Sequence, residues 1–317
     1  MIEAQGLTKH YGNKVAVDQL SFKVRPGVVT GFLGPNGSGK STTMRMIMGL
    51  DAPSAGNVTV NGRHYRDLSW PLHEVGALLE AKAIHPGRSA RKHLLMLAQA
   101  NRIPGRRVDE VLEMVGLSDV GRQRAGKFSL GMGQRLGIAA ALLGDPEVLL
   151  FDEPINGLDP DGIRWVRTFL RSLAKEGRTV FVSSHLMSEM ALTADEVVII
   201  GKGRLIVQVS VEELLAQSSR RFVRVVSPDV NPLRVALESD GATTSVEDDG
   251  SLSVRGKDHK EIGELAAQLS VVLYELTPQS ESLEEAFMEL TETSIEYHGA
   301  ATASVATDDS VTTREAQ

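Results

Sequence analysis

The fold of this chain follows from the stretch Gly34-Pro35-Asn36-Gly37-Ser38-Gly39-Lys40-Ser41-Thr42. It fits the pattern of a glycine, four free positions and then Gly-Lys-Ser/Thr, which is the phosphate-binding loop of nucleoside triphosphatases. Apolar residues 28–33 predict a buried strand before the loop, and residues 43–48 after it are mostly good helix formers. A strand, a glycine-rich loop and a helix together favour nucleotide binding over a turn that only caps a helix.

The chemistry of this stretch depends on its backbone and on two side chains. Its glycines let successive N–H groups turn toward a phosphate, and the start of the helix adds its positive end. In this pattern, Lys40 reaches the β- and γ-phosphates as a point charge, and the Ser41 hydroxyl binds Mg²⁺. The stretch therefore predicts binding of a nucleoside triphosphate together with Mg²⁺.

Composition limits the other possibilities. The chain has 317 residues, a formal net charge of −7 and 42% hydrophobic residues, which predicts a large α/β domain with a smaller companion. No apolar run approaches the roughly 18 residues of a membrane span, and the first residues lack the pattern of a secretory signal. The sequence has no cysteine, which excludes disulfides and suits the cytoplasm. Because the charge balance is acidic, we expect no general nucleic-acid binding.

A pair of carboxylates follows a second buried strand. Residues 148–151 are apolar, and Asp152 and Glu153 come at the carboxyl end, the edge where α/β sheets place ligands. We expect Asp152 to hold Mg²⁺ opposite Ser41, and Glu153 to polarise a water for attack on the γ-phosphate. The alternative is a strand that ends in a charged turn, and the phosphate-binding loop upstream favours the functional interpretation.

Three further features carry weaker signals on their own. Ser129 and the glycines after it precede an apolar helix, a start that favours anions, although serine-capped helices are usually structural. His185 comes just after another predicted strand, where it could contact the γ-phosphate. A tyrosine such as Tyr11 is ordinarily a packed or surface residue, but its place upstream of the loop would suit stacking on an adenine ring.

Periodicity divides the chain into a nucleotide-binding domain (residues 1–217), a small α+β domain (residues 218–296) and a disordered tail (residues 297–317). A β region at residues 1–27 precedes the loop, and a mostly helical insertion at about residues 81–145 separates two halves of an α/β core. Further strands are predicted at residues 58–62, 75–79, 178–184, 196–200, 204–208, 220–226 and 251–254. Helices are predicted at residues 89–101, 108–116, 136–143, 163–176, 186–193, 232–238, 260–269 and 282–290.

Taken together, six segments in this order resemble the motifs of the ATPase subunit of ATP-binding-cassette (ABC) transporters, over residues 1 to about 217. They are Tyr11, similar to the adenine-stacking aromatic; residues 34–42, similar to Walker A; residues 128–132 (Phe-Ser-Leu-Gly-Met), similar to the signature motif; residues 148–153, similar to Walker B with Glu153 as the catalytic glutamate; Gly157-Leu158-Asp159, similar to the D-loop; and His185, similar to the switch histidine. The resemblance implies an α/β fold with a mostly parallel core sheet, an antiparallel β subdomain and a helical subdomain, followed by a small α+β appendage.

The resemblance also implies a reaction. ATP and Mg²⁺ would bind, and ATP would be hydrolysed to ADP and phosphate with Lys40, Glu153 and His185 in catalytic roles. Two identical chains would pair head to tail, so that ATP lies between the phosphate-binding loop of one chain and the signature segment of the other. Binding of two ATP would close the pair and hydrolysis would reopen it. The implied nucleotide contacts outside the loop are Tyr11, Ser129, Gly131 and Asp159.

Three segments narrow the resemblance to bacterial exporters of the ABC-2, bacitracin- and drug-resistance type. They are the Phe-Ser-Leu-Gly-Met variant, residues 153–160 and residues 282–287. In such exporters the ATPase is a separate cytoplasmic chain, peripheral on the inner face of the cell membrane, that pairs with a separate multi-span permease. The permease would insert a cytoplasmic helix near residues 81–93. It would also contact the cargo, a drug, antibiotic or similar small molecule, so this chain is not expected to bind cargo directly.

Three positions depart from the family pattern. Leu130 stands where the signature usually has its first glycine, and its bulk could impede the approach of the backbone to the γ-phosphate. Met132 replaces the final glutamine, a change expected to matter less. Glu80 stands where a glutamine usually binds Mg²⁺ or the attacking water. A carboxylate can take a metal ion, but its charge beside the γ-phosphate argues against Glu80 as a ligand.

Two other functions stay open on the sequence. A soluble ABC protein acting on ribosomes or DNA would carry two cassettes in tandem or long coiled coils. This sequence has one phosphate-binding loop and about 110 residues without heptads between Lys40 and Asp152. A nucleotide-sensing module with little turnover would fit Leu130 and Glu80, whereas Glu153 and His185 argue against it.

Overall fold

The computed structural model describes residues 1–80, 84–217, 222–247 and 249–279. Within them, thirteen strands form three sheets. The helix predicted at residues 282–290 and the tail predicted at residues 297–317 lie outside the described residues, as do residues 81–83 of the predicted permease contact. The division of the chain into domains stays a prediction.

Most strands and helices lie within a few residues of their predicted places. The strands are β1 (Ile2–Tyr11), β2 (Lys14–Val24), β3 (Val29–Leu33), β4 (Ala55–Val60), β5 (Val75–Leu78), β6 (Val148–Asp152), β7 (Thr179–Ser184), β8 (Glu196–Gly201), β9 (Arg204–Ser210), β10 (Phe222–Val226), β11 (Thr243–Val246), β12 (Leu252–Arg255) and β13 (Glu275–Gln279). The α-helices are α1 (Lys40–Ile47), α2 (Pro71–Glu74), α3 (Ala90–Ala100), α4 (Arg106–Met114), α5 (Leu130–Leu142), α6 (Pro160–Lys175), α7 (Met187–Thr193), α8 (Val211–Gln217), α9 (Asn231–Ser239) and α10 (His259–Gln268). Among the helices of the described ranges, none combines the length and apolar character needed to cross a membrane.

The largest sheet is mostly parallel, as the resemblance implies. Its strands lie in the order β5-β6-β7-β3-β8-β9, and each neighbouring pair is parallel except β8 and β9. Every residue of β3 and of β7 is buried, as expected for strands that are covered on both faces. The carboxyl ends of β3, β6 and β7 therefore meet at one edge of the sheet, and the phosphate-binding loop leaves that edge after β3.

A three-stranded antiparallel sheet, in the order β2-β1-β4, packs against the central sheet. The β region predicted at residues 1–27 consists of two long strands, β1 and β2, that form a hairpin. The rings of Phe22, Phe32 and Phe181 pack together with their centroids between 5.0 and 5.6 Å apart. These rings tie β2 to β3 and β7, so the hairpin and the central sheet share one core.

Three helices, α3, α4 and α5, form the helical region predicted between the two halves of the core. One hydrophobic core contains buried side chains of all three, among them Leu94, Val111 and Leu136. Helix α5 begins at Leu130, six residues before its predicted start, because Ser129 caps it there. The signature segment is therefore the first turn of a helix.

The last described region alternates β-α-β-β-α-β from β10 to β13, with a sheet in the order β11-β12-β10-β13. This confirms its predicted α+β class. Strands β11 and β13 were not predicted. The first is polar and largely exposed, and the second contains Pro278 on an edge strand, where proline is tolerated.

Candidate active site

The loop between β3 and α1 needs glycine at two positions. Gly39, just before α1, has a φ of 105°, and Gly37 has a φ of 80°. Residues with a β-carbon rarely adopt this left-handed region. A β-carbon on Gly39 would also lie 2.6 Å from the carbonyl oxygen of Ala16 on β2. The β1–β2 hairpin therefore closes onto the loop and forms one wall of the site.

Lys40 is the first residue of α1 and is almost fully buried. Its Nζ donates hydrogen bonds to the carbonyl oxygens of Gly34 at 2.6 Å and Pro35 at 3.3 Å. Burial lowers the pKa of Lys40, and the negative charges of Glu153 and Asp152 oppose that shift. The amine is thus held inside the curve of the loop, within electrostatic range of both carboxylates.

An open cavity of about 470 Å³ lies over the loop, a volume within the usual range for small-molecule sites. Its walls include residues predicted from separate parts of the chain, namely Tyr11, Asn36, Gly37, Gly39, Lys40, Ser41, Thr42, Glu153 and His185. Lys14, Ala16 and Asn156 also line it and were not predicted. Lys14 and Ala16 reach the loop only through the fold of the hairpin, which leaves no local signal in the sequence. Gly34, Pro35 and Ser38 belong to the loop but lie outside the lining.

Glu153 and His185 follow the carboxyl ends of the neighbouring strands β6 and β7, and their side chains contact each other. Nδ1 of His185 lies 2.9 Å from Oε2 of Glu153. Glu153 has a φ of 50°, which is uncommon for a residue with a β-carbon and is a form of strain found at functional sites. A carboxylate held against a histidine at the edge of a cavity can align a water and accept its proton.

Ser183 on β7 is a site residue that sequence reasoning missed. Its side chain is fully buried, and its hydroxyl donates a short hydrogen bond to Oδ1 of Asp152. The same hydroxyl accepts a hydrogen bond from the backbone N–H of Glu153 at 3.0 Å. A signal was available, because β7 ends in two serines and buried polar groups need partners.

Ser41 and Asp152 line a second cavity, of about 540 Å³, together with Arg45, Glu80 and His93. A hydroxyl and a carboxylate fit Mg²⁺, which prefers oxygen and usually combines one or two protein ligands with phosphate oxygens and waters. The described part of the chain contains no cluster of three or more His, Cys, Asp or Glu side chains that could hold a metal ion. Glu80 is exposed on the wall of this cavity, and its role as a ligand stays a prediction.

Tyr11 ends β1 at the rim of the first cavity, with 48% of its surface exposed. Its hydroxyl donates a hydrogen bond to Oδ2 of Asp51 at 2.9 Å, and Asp51 is paired with Arg45 at 2.7 Å. Nζ of Lys9 lies 5.0 Å from the centre of the ring. These contacts fix the orientation of the ring at the place predicted for base stacking.

The structure does not bring Ser129, Gly131 and Asp159 to the phosphate-binding loop, because none of them is among the described residues that line its cavity. Oγ of Ser129 accepts a hydrogen bond from the backbone N–H three residues on, at 3.2 Å, and caps α5. Asp159 caps α6 in the same way at 3.0 Å. Leu130, which could obstruct a phosphate, turns its side chain toward Gly157 of its own chain.

Comparisons with known proteins agree with these features. The profile of the ABC transporter family matches residues 17–156, and the profile of a domain of unknown function matches residues 221–284. The bacitracin transport ATP-binding protein BcrA of Bacillus licheniformis is 38% identical over 298 residues, which covers 92% of this chain and 97% of BcrA. The lantibiotic transport ATP-binding protein SrtF of Streptococcus pyogenes is 34% identical over 210 residues, which covers 66% of this chain and 90% of SrtF.

Solved structures give the same picture of the fold. The dimeric structure of MJ0796, a bacterial ABC transporter cassette, superposes with a TM-score of 0.61 at 25% identity, over 67% of this chain and 99% of that chain. The predicted α/β fold class, with its parallel core sheet and its antiparallel and helical parts, is confirmed.

Proposed function

This chain belongs to the ATP-binding proteins of ABC transporters, and we propose that it is the ATPase subunit of a membrane exporter whose permease is a separate chain. Membership of this family makes the chain an ATP-binding protein and an ATPase. The proposal depends most on one observation, that Lys40, Glu153 and His185 line the same cavity at the phosphate-binding loop.

The geometry supports a division of labour in hydrolysis. When nucleotide binds, Nζ of Lys40 leaves the loop carbonyls and donates its hydrogen bonds to the β- and γ-phosphates, because a charged acceptor forms the stronger hydrogen bond. Ser41 and Asp152 hold Mg²⁺, which when bound supplies positive charge to the triphosphate. Glu153 aligns the attacking water in line with the leaving oxygen, and His185 holds that carboxylate in place and faces the γ-phosphate.

Half of the nucleotide site comes from a second copy of the chain in this proposal. Ser129, Gly131 and Asp159 are held at the starts of α5 and α6 and do not line the cavity of their own loop. A head-to-tail pair would place these residues against the ATP of the opposite chain. ATP would then hold the two copies together, and its hydrolysis would let them separate.

The relatives support an exporter rather than a freely acting ATPase. BcrA is named for bacitracin transport and SrtF for lantibiotic transport. We therefore propose a drug, antibiotic or similar small molecule as cargo, bound by a multi-span permease and not by this chain. The ATPase would lie on the cytoplasmic face of the membrane, with the permease docked near residues 81–93.

The Glu153→Gln variant tests the ATPase cycle. The amide keeps the shape of the carboxylate but cannot take a proton, so hydrolysis should fall by about 100-fold or more while ATP binding survives. In Mg²⁺ and ATP the variant should run as a dimer on size exclusion, and with ADP as a monomer. Glu176→Gln, the same change at an exposed carboxylate outside the cavity, is the matched control and should behave as wild type.

The outcomes separate the candidate functions. A monomeric Glu153→Gln protein, together with no Mg²⁺-dependent hydrolysis by wild type, would contradict the ATPase switch and favour a nucleotide sensor. The neighbouring reading frame should encode a protein with several membrane spans, and co-expression with that protein should place wild type in the membrane fraction. If the ATPase is active but stays soluble and sediments with ribosomes or DNA, the exporter proposal is wrong.

A further inference from the structure

The start of α5 packs against the segment just before α6 through two leucines and two glycines. A β-carbon built on Gly157 would overlap Cδ2 of Leu130 and lie 3.4 Å from its Cγ. In the opposite direction, a β-carbon on Gly131 would lie 3.2 Å from Cδ2 of Leu158. Each leucine thus sits on the glycine of the other segment. We call Leu130, Gly131, Gly157 and Leu158 the leucine–glycine clamp.

A second contact joins the same two helices farther along. The guanidinium of Arg135 on α5 lies 4.4 Å from the centre of the Trp165 ring on α6. Trp165 in turn stacks on Phe169, with ring centroids 5.1 Å apart. A cation over an indole face is attractive, and more so when it is partly shielded from water. The first turn of α5 is therefore joined to the segment just before α6, and the second turns of the two helices are joined to each other.

The clamp also connects to the catalytic carboxylate. Asn156 N–H donates to the carbonyl oxygen of Glu153 at 3.2 Å, and Leu158 N–H donates to that of Ile155 at 3.2 Å. These two hydrogen-bonded turns restrict the backbone between Glu153 and Leu158. Glu153 and Asn156 both line the cavity at the phosphate-binding loop of the same chain. A shift of Glu153 would thus be passed through Leu158 to Gly131.

We propose that the leucine–glycine clamp makes the signature segment and the D-loop one rigid unit, with Leu130 as a positioning residue for ATP hydrolysis. This inference rests on the proposed head-to-tail dimer, in which residues 129–131 complete the site of the opposite chain. Leu130 then fills the space over Gly157, instead of obstructing the nucleotide. The clamp carries the position of Glu153 in one site to Ser129 in the other, so the two ATP sites respond to each other.

A double-mutant cycle tests the clamp. Gly157→Ala inserts a methyl group into Cδ2 of Leu130, and Leu130→Ala removes the obstacle. Because Gly157 has a φ of 70°, alanine there also carries backbone strain. Gly177→Ala is the matched control, since Gly177 has a φ of 90° but no neighbour within 4 Å of the β-carbon position. The readouts are kcat, the ATP concentration for half-maximal rate, the Hill coefficient and the melting temperature.

Each single clamp variant should lower kcat, by about threefold or more for Leu130→Ala and about tenfold for Gly157→Ala, and should lower the Hill coefficient toward one. Affinity of the monomer for ATP should not change, because the clamp does not line the cavity. In the double variant kcat should return to the level of Leu130→Ala alone. Gly177→Ala carries only the backbone strain, so it should lower the melting temperature without lowering kcat.

Two results would overturn the clamp. One is a loss of kcat from Gly157→Ala that is equally large whether Leu130 is kept or replaced by alanine. The other is Leu130→Gly, which restores the family pattern, raising kcat above wild type, because Leu130 would then be an obstacle. Adding Leu130→Ala to Glu153→Gln separates the two proposals. Fewer trapped dimers support the clamp, an equal number of dimers refutes the clamp alone, and no dimers from Glu153→Gln itself refute the dimer.

Discussion

The hydroxyl of Ser183 joins Asp152 to Glu153, the two acidic residues at the end of β6. It donates to Oδ1 of Asp152 and accepts from the N–H of Glu153 at 3.0 Å. If Asp152 holds Mg²⁺, Ser183 is the group behind the ligand that fixes its orientation. Such supporting partners commonly affect metal affinity or activity by 10–100-fold.

We therefore predict that Ser183→Ala lowers kcat about tenfold and raises the Mg²⁺ concentration for half-maximal rate. Titration of ATPase activity with Mg²⁺ at saturating ATP measures both quantities. Thr30→Val on the adjacent strand β3 is the control, because the buried Thr30 hydroxyl has no hydrogen-bond partner among the described residues. Equal Mg²⁺ titrations for Ser183→Ala and wild type would show that Ser183 only packs the strand.

Local patterns were enough to predict much of this site. The phosphate-binding loop and the acidic pair at the end of β6 each consist of consecutive residues. The order of strands, loops and helices places both at the same edge of the sheet. For Ser183, the two serines that end β7 signalled a buried polar group but not its partner. Its contact with Asp152 depends on the register of β6 and β7, where Asp152 pairs with Ser183.

The signature segment shows the same limit more strongly. The sequence marked Leu130 as a departure from the family pattern, and its bulk suggested an obstacle. The contact with Gly157 depends on how α5 and α6 pack, and no spacing in the sequence reports that distance. Strands β11 and β13 were missed for a related reason: β11 is a short polar stretch and β13 contains Pro278, so their pairing with β12 and β10 leaves no clear local pattern.

Tyr11 offers a test of nucleotide stacking that separates the ring from its hydroxyl. Tyr11→Ala should raise the KM for ATP about tenfold, because stacking of a base on an aromatic ring contributes about 1–3 kcal/mol. Tyr11→Phe keeps the ring and loses only the hydrogen bond to Asp51, so its KM should stay within about twofold of wild type. Steady-state kinetics with ATP measure both. If Tyr11→Phe is as impaired as Tyr11→Ala, the link to Asp51 matters and stacking does not.

A substitution at Glu80 distinguishes two roles for its carboxylate, a nearby negative charge or a ligand of Mg²⁺. If it is a bystander charge on the cavity wall, Glu80→Gln removes a repulsion and should lower the KM for Mg²⁺-ATP about threefold without lowering kcat. Glu74→Gln is the control, since Glu74 pairs with Arg63 and does not line that cavity. A tenfold fall in kcat for Glu80→Gln that excess Mg²⁺ restores would instead make Glu80 a metal ligand.

We predict that His93 on α3 makes the stability of the chain depend on pH. It is 9% exposed, and Nδ1 has no hydrogen-bond partner among the described residues. Burial and then the positive charge of Arg88 lower the pKa of His93. Arg45, Glu80 and Asp152 face the same cavity and set the rest of its electrostatic surroundings.

The direction in which stability changes with pH follows from proton binding to His93. Above the unfolded pKa of about 6.5, His93 is neutral in both states and pH has no effect through it. Below that value the unfolded chain binds a proton that the folded chain resists, so stability falls until the folded pKa is passed. His93→Gln stays neutral throughout. Between pH 7.5 and 5.0, its melting temperature should therefore fall about 2–4 °C less than that of wild type.

Thermal melts at several pH values, followed by circular dichroism, check this prediction. His85→Gln is the control, because His85 is exposed on the segment that leads into α3 and its loss should leave the pH dependence of wild type. An equal fall for all three proteins would mean that the folded chain accepts the proton on His93 without cost. The cavity shared with Glu80 would then be hydrated enough to hold a charged imidazole. The prediction that folding lowers the pKa of His93 would be wrong.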